Sequence, residues 1–364
     1  MEGDRISARQ LYAMLFAGLL TPAVRALPVL TAAVADKAAW LTGLLAFPPL
    51  LAAGWAVFTL SKGEGGLAGG FRRALGPVAG RAVLLLYMIW ALFLLCLEGR
   101  LYAGRMLTAG YRGASPAVFL LVLLSAALWM ARRKLSAFAR AAEICVLVLG
   151  LIFALVVGFS LLDARPRRVL PVWAEDLPGA AVATLAPVGV LSGGVLGGFL
   201  AGQVSPRPGD ARLGRRWLWW TCLALTLLQL GAVAQLGASL CARVEVPFFE
   251  MARGVGMKGA FQRVESVVMA FWVLSDFVWL GTLLFAIKAM AGSLLGPKWA
   301  RRSPVAAAVL AFLGALFLFP DDFAARRLSE WLVPGGQLLL AFGLPPLALL
   351  SRRLRERKGG APPP

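Results

Sequence analysis

The chain contains no histidine. That removes the side chain most often used as a general base near neutral pH and the commonest nitrogen ligand of zinc. Without it, no nucleophile–base constellation assembles from the sequence. Its four cysteines, Cys96, Cys145, Cys222 and Cys241, are scattered in or beside apolar runs with no C-x-x-C pair. Neither a disulfide framework nor a zinc site is expected. The glycine-rich stretch GEGGLAGG (63–70) lacks the Lys–Ser/Thr of a phosphate-binding loop and precedes no strand pattern. Acidic residues are scarce: 18 Asp and Glu stand against 37 Lys and Arg, a net charge of +19. The basic residues sit in short connectors between apolar runs, as orientation signals do, and not in a nucleic-acid patch. No nucleic-acid partner, metal or cofactor is therefore expected. The opening MEGDRISARQ is mixed in charge, and the run behind it is as long as a spanning helix, so no cleaved signal peptide is expected.

What the chain has in abundance is apolar length. Hydrophobic residues make up 60% of it, and the mean hydropathy is +0.78, whereas soluble domains are about 45–50% apolar. The apolar runs are continuous and do not alternate with period two, which selects helices over a barrel. Ten runs are long enough to span: 10–33, 40–60, 82–110, 114–131, 141–162, 179–203, 217–242, 264–295, 303–320 and 331–350. The expected fold is an all-α integral membrane domain over 1–351, followed by a basic, disordered tail over 352–364. Ten spans put both termini on one side. The connectors of that side carry 22 Lys and Arg against 11 on the other, which predicts cytoplasmic termini. Trp40, Trp217, Trp299 and Trp331, at span ends, read as interface anchors.

Split five plus five, the first and sixth spans correspond. The sixth holds VGVLSGGVLGGFLAG (188–202), with Gly189, Gly193, Gly194, Gly197 and Gly198. The first holds GLLTPAVRALP (18–28), with Pro22 and Pro28. Glycine costs about 1 kcal/mol relative to alanine in a helix interior, and proline removes a hydrogen bond. Paired interruptions of this kind point to a transporter-type site made from broken helices. The other reading of the glycines is close helix packing through G-x-x-x-G spacing. The broken-helix reading predicts a small polar pocket near the midplane. Its candidate ligand-binding residues are Gly18, Leu20, Thr21, Pro22, Arg25, Val190, Ser192, Gly193, Gly194 and Gly197.

Ionisable residues inside spans are functional candidates by default. Asp276 lies mid-span in the eighth run, eleven residues after Glu265 and on the same helix face. It can contact a cation, a proton or a substrate amine, or bond to a neighbouring helix. Glu98 has Tyr102 and Arg105 at i+4 and i+7, and a Glu98–Arg105 pair is expected. Arg140 and Glu143, at i and i+3, are expected to pair with each other or with loops, with gating as the alternative. Lys288 is expected to snorkel to the inner interface. Arg25 either snorkels outward or meets a carboxylate in the pocket. Arg263 and Glu265 are expected to brace the outer loop against the eighth span.

Several stretches together resemble the endospore germination permeases, the GerAB-type B subunits of nutrient germinant receptors, in the amino acid–polyamine–organocation superfamily. ISARQLYAMLF (6–16) resembles the family's opening, and ADKAAWLTGLLA (35–46) its entry to the second span. ARAAEI (139–144) resembles its Arg-x-x-Glu motif. VPFFEMARGVGMKGAFQRVESVVMAFWVLSDF (246–277) resembles its external proline-containing segment, the Arg-x-Glu entry to the eighth helix, and a Trp seven residues on. The resemblance covers nearly the whole chain. It implies ten helices in two inverted five-helix repeats with broken first and sixth helices. It implies a membrane subunit that binds a small nutrient, often an amino acid, and signals to an A-type membrane subunit and a C-type lipoprotein in the spore inner membrane. Two alternatives remain open: an amino acid–proton secondary transporter, with Asp276 or Glu98 carrying the proton, and an ion-conducting or scaffold subunit with a vestigial pocket.

Overall fold

A computed structural model describes residues 4–109, 111, 113–254 and 264–357, without the side chains of residues 254, 264, 265 and 357. Among them, nine helices are long and apolar enough to cross a membrane: Ala8–Ala38, Leu41–Leu60, Pro77–Ala109, Leu135–Leu162, Ala174–Gln203, Asp210–Leu236, Ser266–Leu295, Pro297–Phe317 and Asp322–Glu356. A shorter apolar helix, Pro116–Ala131, stands where the sequence places the fourth span. Each predicted span thus has a counterpart, and the chain is a multi-pass membrane protein. Spans are numbered here in chain order, with Pro116–Ala131 as the fourth.

Local chemistry sets the ends. Ser7 and Gln10 form a capping box at the start of the first span. Gly76–Pro77 and Gly296–Pro297 start the third and ninth spans, the glycines at φ 90° and 91° and the prolines at the first helical position. Ser115 caps the fourth ahead of Pro116. The first, sixth and eighth spans are the most enclosed, with 72%, 67% and 67% of their apolar windows buried against 28% for the ninth. They form the centre of the bundle, and the eighth packs on the third, the ninth and the first.

Two features differ from the sequence expectation. The first span is not broken: helix runs without interruption from Ala8 to Ala35 through Pro22 and Pro28. Each proline removes its own N–H and crowds the carbonyl four residues back, and side chains of neighbouring spans and local adjustment of the helix can satisfy the backbone around it. The sixth span is not unwound either. It narrows to a 3₁₀ helix over Ser192–Gln203, far longer than the usual three or four residues. Its glycines admit neighbours at close range. A Cβ on Gly189 would lie 2.6 Å from Pro334, one on Gly193 2.8 Å from Gln337, one on Gly197 2.8 Å from Leu15 and one on Gly198 2.9 Å from Leu67. The packing reading of this run is realised at those four positions, whereas a Cβ on Gly194 would meet only Leu19, at 3.8 Å.

The N-terminal segment ties three spans together. Ile6 pairs with the end of the sixth span, donating to Gln203 O at 3.0 Å and accepting from Ser205 N at 2.9 Å. Asp4 caps the fifth span, accepting from Leu135 N at 2.7 Å and Ser136 N at 2.9 Å. Partial burial opposes the Asp4 charge, but the two backbone donors, the Ser136 side chain and the Lys288 charge together outweigh it and hold the carboxyl below its ordinary value. At the other end, helix continues to Arg357, with Arg352 bridging to Glu356.

Candidate functional site

The first and eighth spans meet through a hydroxyl. Ser275 Oγ accepts from Thr21 N at 3.0 Å and donates to Ala17 O at 2.6 Å. It thus bridges a donor and an acceptor four residues apart on the first span, one turn before Pro22. Beside it, Gly18 lets the Trp279 ring approach to 2.9 Å from where a Cβ would stand. Sequence reading missed both Ser275 and Trp279. The adjacent Asp276 was the only signal that this turn faces the interior.

One level further along lies a layer of charge. Arg25 donates to Glu98 at 3.2 Å and to Ser329 at 3.0 Å. Arg105 donates to Asp276 at 2.5 Å. All four ionisable residues are nine-tenths buried or more, and Arg25 lies within electrostatic reach of Arg105, Asp276 and Glu330. Tyr102 is buried in the same layer. Two expectations are corrected here. Glu98 pairs with Arg25 and not with Arg105, because the Arg105 head is taken by Asp276 from the eighth span. Arg25 does not snorkel: it turns inward, since a carboxylate and a hydroxyl offer it charge-assisted bonds there.

The layer is not saturated. Arg25 Nε, Arg105 Nε, Arg105 Nη1, Asp276 Oδ1 and Thr21 Oγ1 are buried with no hydrogen-bond partner. Buried polar groups are nearly always paired, with protein or with ordered water, so this cluster is a place that calls for further polar partners. A cavity of about 20 Å³ touches the layer, lined by Arg25, Arg105, Glu245, Asp322, Arg326 and Ser329 among others. Arg326 pairs with Glu245, and Arg100 with Asp322 at 2.9 Å.

On the opposite side of the first span lies a second cavity of about 480 Å³. Leu20, Ser192, Gly194 and Gly197 line it, with Leu15, Phe16 and Leu19. The cavity at the junction of the first and sixth spans is large and apolar, where a small polar pocket was expected. The remaining candidates lie outside its lining. Gly18 and Thr21 face the eighth span, Gly193 faces Gln337, and Pro22 and Val190 are buried. Arg25 lines the small cavity instead.

At the membrane edge, Glu143 bridges to Arg9 at 2.9 Å and accepts from Gln10 at 3.1 Å, so it joins the fifth span to the first; Arg140 is exposed. The Lys288 ammonium donates to Ala131 O at 2.9 Å, closing the end of the fourth span. Arg263 and the side chain of Glu265 lie outside the described residues.

The model of the spore germination protein family matches residues 5–321. The chain belongs to that family. A comparison with curated proteins gives no match. Among solved structures, the crystal structure of MhsT in complex with L-phenylalanine is similar over 98% of this chain and 91% of that one, with a TM-score of 0.65 and 17% identity. The chain thus has a LeuT-like transporter fold.

Proposed function

We propose that the chain is a nutrient-sensing membrane subunit of a spore germination receptor, and that it binds a small zwitterion such as an amino acid in the charge layer between the first, third and eighth spans. The observation that carries this reading is the set of buried, unpartnered polar atoms on Arg25, Arg105, Asp276 and Thr21. Guanidinium groups suit a carboxylate, and Asp276 and Glu98 suit an ammonium. In the present arrangement the four charges pair off, Arg25 with Glu98 and Arg105 with Asp276, and leave Arg25 Nε, Arg105 Nε, Arg105 Nη1 and Asp276 Oδ1 unpartnered. A zwitterion would exchange with the pairs, releasing the first span from the third and eighth. Occupancy then shifts the balance between two packings of the bundle, which an A-type membrane subunit and a C-type lipoprotein in the spore inner membrane would read. On this reading both termini face the cytoplasm, which the excess of Lys and Arg in the connectors on their side supports.

The test is a thermal-shift screen of purified protein against amino acids, sugars and nucleosides, repeated with Asp276→Asn. A zwitterion that raises Tm in the unsubstituted protein and not in the variant supports the reading. No shift with any compound, while the folded protein melts cooperatively, counts against it. The transporter-like fold and the buried Asp276 favour one second reading, an amino acid–proton symporter. Uptake of the same zwitterion into proteoliposomes under a pH gradient separates the two.

A further inference from the structure

The 480 Å³ cavity is unused by the reading above. Its shape follows from how the second and seventh spans cross. They are pinned together at one end: Thr42 bonds to Gln229 at 2.7 Å, and Gly43 leaves so little room that a Cβ would lie 2.6 Å from Thr226 N. Phe47 meets Trp219 edge-on at 5.3 Å. Beyond that contact the spans part. The gap is floored by Leu15, Leu19, Gly194 and Gly197 of the first and sixth spans. Its rim is formed by Trp55 and Phe58 on one side and Ala211 and Arg215 on the other, all exposed. The gap therefore opens sideways, toward the bilayer leaflet on the side of the chain's N-terminus. Its walls are mostly hydrocarbon, and Arg215 sits at the mouth with no ion pair among the described residues.

We propose that this groove is a binding site for an anionic phospholipid, one acyl chain lying along the first and sixth spans and the phosphate on Arg215. Three observations select that occupant over a polar nutrient. The lining is mostly apolar: of its hydroxyls, Ser192 is bonded to Val188 O at 2.6 Å and Thr221 to Trp217 O at 2.8 Å, which leaves only Tyr12 and the unpartnered Ser61 among the described lining residues, too few to hold a polar nutrient. The opening faces lipid. Arg215, unpaired among the described residues, stands where the apolar wall ends, at headgroup depth, where basic side chains attract anionic lipid. The volume falls within the range of about 300–1,000 Å³ usual for small-molecule sites. A chain seated there touches Gly194 and Gly197, so it holds the 3₁₀ segment of the sixth span against the first.

Two glycines make the test clean, because a Cβ on Gly54 meets nothing within 4 Å and one on Gly194 meets only Leu19 at 3.8 Å. Gly54→Phe and Gly194→Leu fill the groove without displacing backbone. The full chain would be purified in mild detergent from membranes containing phosphatidylglycerol and phosphatidylethanolamine, and bound lipid read by native mass spectrometry. The proposal expects a retained phospholipid enriched in phosphatidylglycerol, loss of it in both filled variants, and retention without headgroup preference in Arg215→Gln. Equal retention in the unsubstituted and filled proteins overturns it, as does a bound species that is not a phospholipid. Because Arg25, Arg105 and Asp276 are untouched, zwitterion binding is read separately in the same variants, so failure here is distinct from failure of the sensing site.

Discussion

The hydroxyl of Ser275 bridges the first span at Thr21, accepting that residue's N–H and donating to the carbonyl of Ala17. This contact joins the most enclosed helices of the bundle and sits beside Pro22, where the helix has already lost a donor. Ser275→Ala removes both bonds at once and leaves buried groups to find new partners. A loss of about 1–3 kcal/mol is expected, read as a fall in Tm. Ser275→Thr, which keeps the hydroxyl, is expected to lose less.

The Arg105–Asp276 pair makes a sharper prediction. Both residues are almost fully buried. Removing one partner strands a charge in the interior, so Arg105→Leu or Asp276→Leu alone is expected to cost about 3–5 kcal/mol. The double variant is expected to recover most of that loss. A double-mutant cycle on Tm checks this; additive losses would show that the two residues are not a pair.

Gly43→Ala and Gly54→Ala on the second span are expected to differ in sign. At Gly43 the new Cβ would meet the Thr226 and Cys222 backbone at 2.6 and 3.0 Å, which cannot swing aside as a side chain can. A loss of about 1–3 kcal/mol is expected there. At Gly54 nothing lies within 4 Å, so the better helix former gives a gain of up to about 1 kcal/mol.

Asp4 links the N-terminal segment to stability and pH. Against partial burial, its carboxyl is held below its ordinary value by the Leu135 and Ser136 amides, the Ser136 side chain and the Lys288 charge. A carboxylate depressed in the folded state stabilises above its unfolded pKa, and that contribution is lost as pH falls through the folded one. The Tm difference between the unsubstituted protein and Asp4→Ala is therefore expected to be constant from neutral pH down to about 4, the unfolded carboxylate value, and to shrink below it.

The spans were legible because hydropathy is a local property: a run of apolar residues announces itself whatever it packs against. The charge layer was half legible. Glu98, Arg25, Arg105 and Asp276 stand out as ionisable groups in apolar runs, but who pairs with whom depends on how the third and eighth spans approach the first. Helical spacing favoured Glu98 with Arg105, while Asp276 came from 171 residues away. The break in the first span was misread for a similar reason. Proline's effect on a lone helix is local, but the eighth span that packs on this turn through Ser275 and Trp279 is not. The glycines of the sixth span carried two meanings, and only the positions of Pro334, Gln337, Leu15 and Leu67 separate packing from unwinding.

The most direct test of the central claim compares an amino acid that binds with its amide, which keeps the ammonium and loses the carboxylate charge. Affinities for both would be measured in the unsubstituted protein and in Arg105→Gln, with the fold of the variant confirmed by its melt. The account predicts that the unsubstituted protein prefers the acid and that the preference collapses in Arg105→Gln. Equal binding of acid and amide by the unsubstituted protein, or an undiminished preference in the variant, would contradict it.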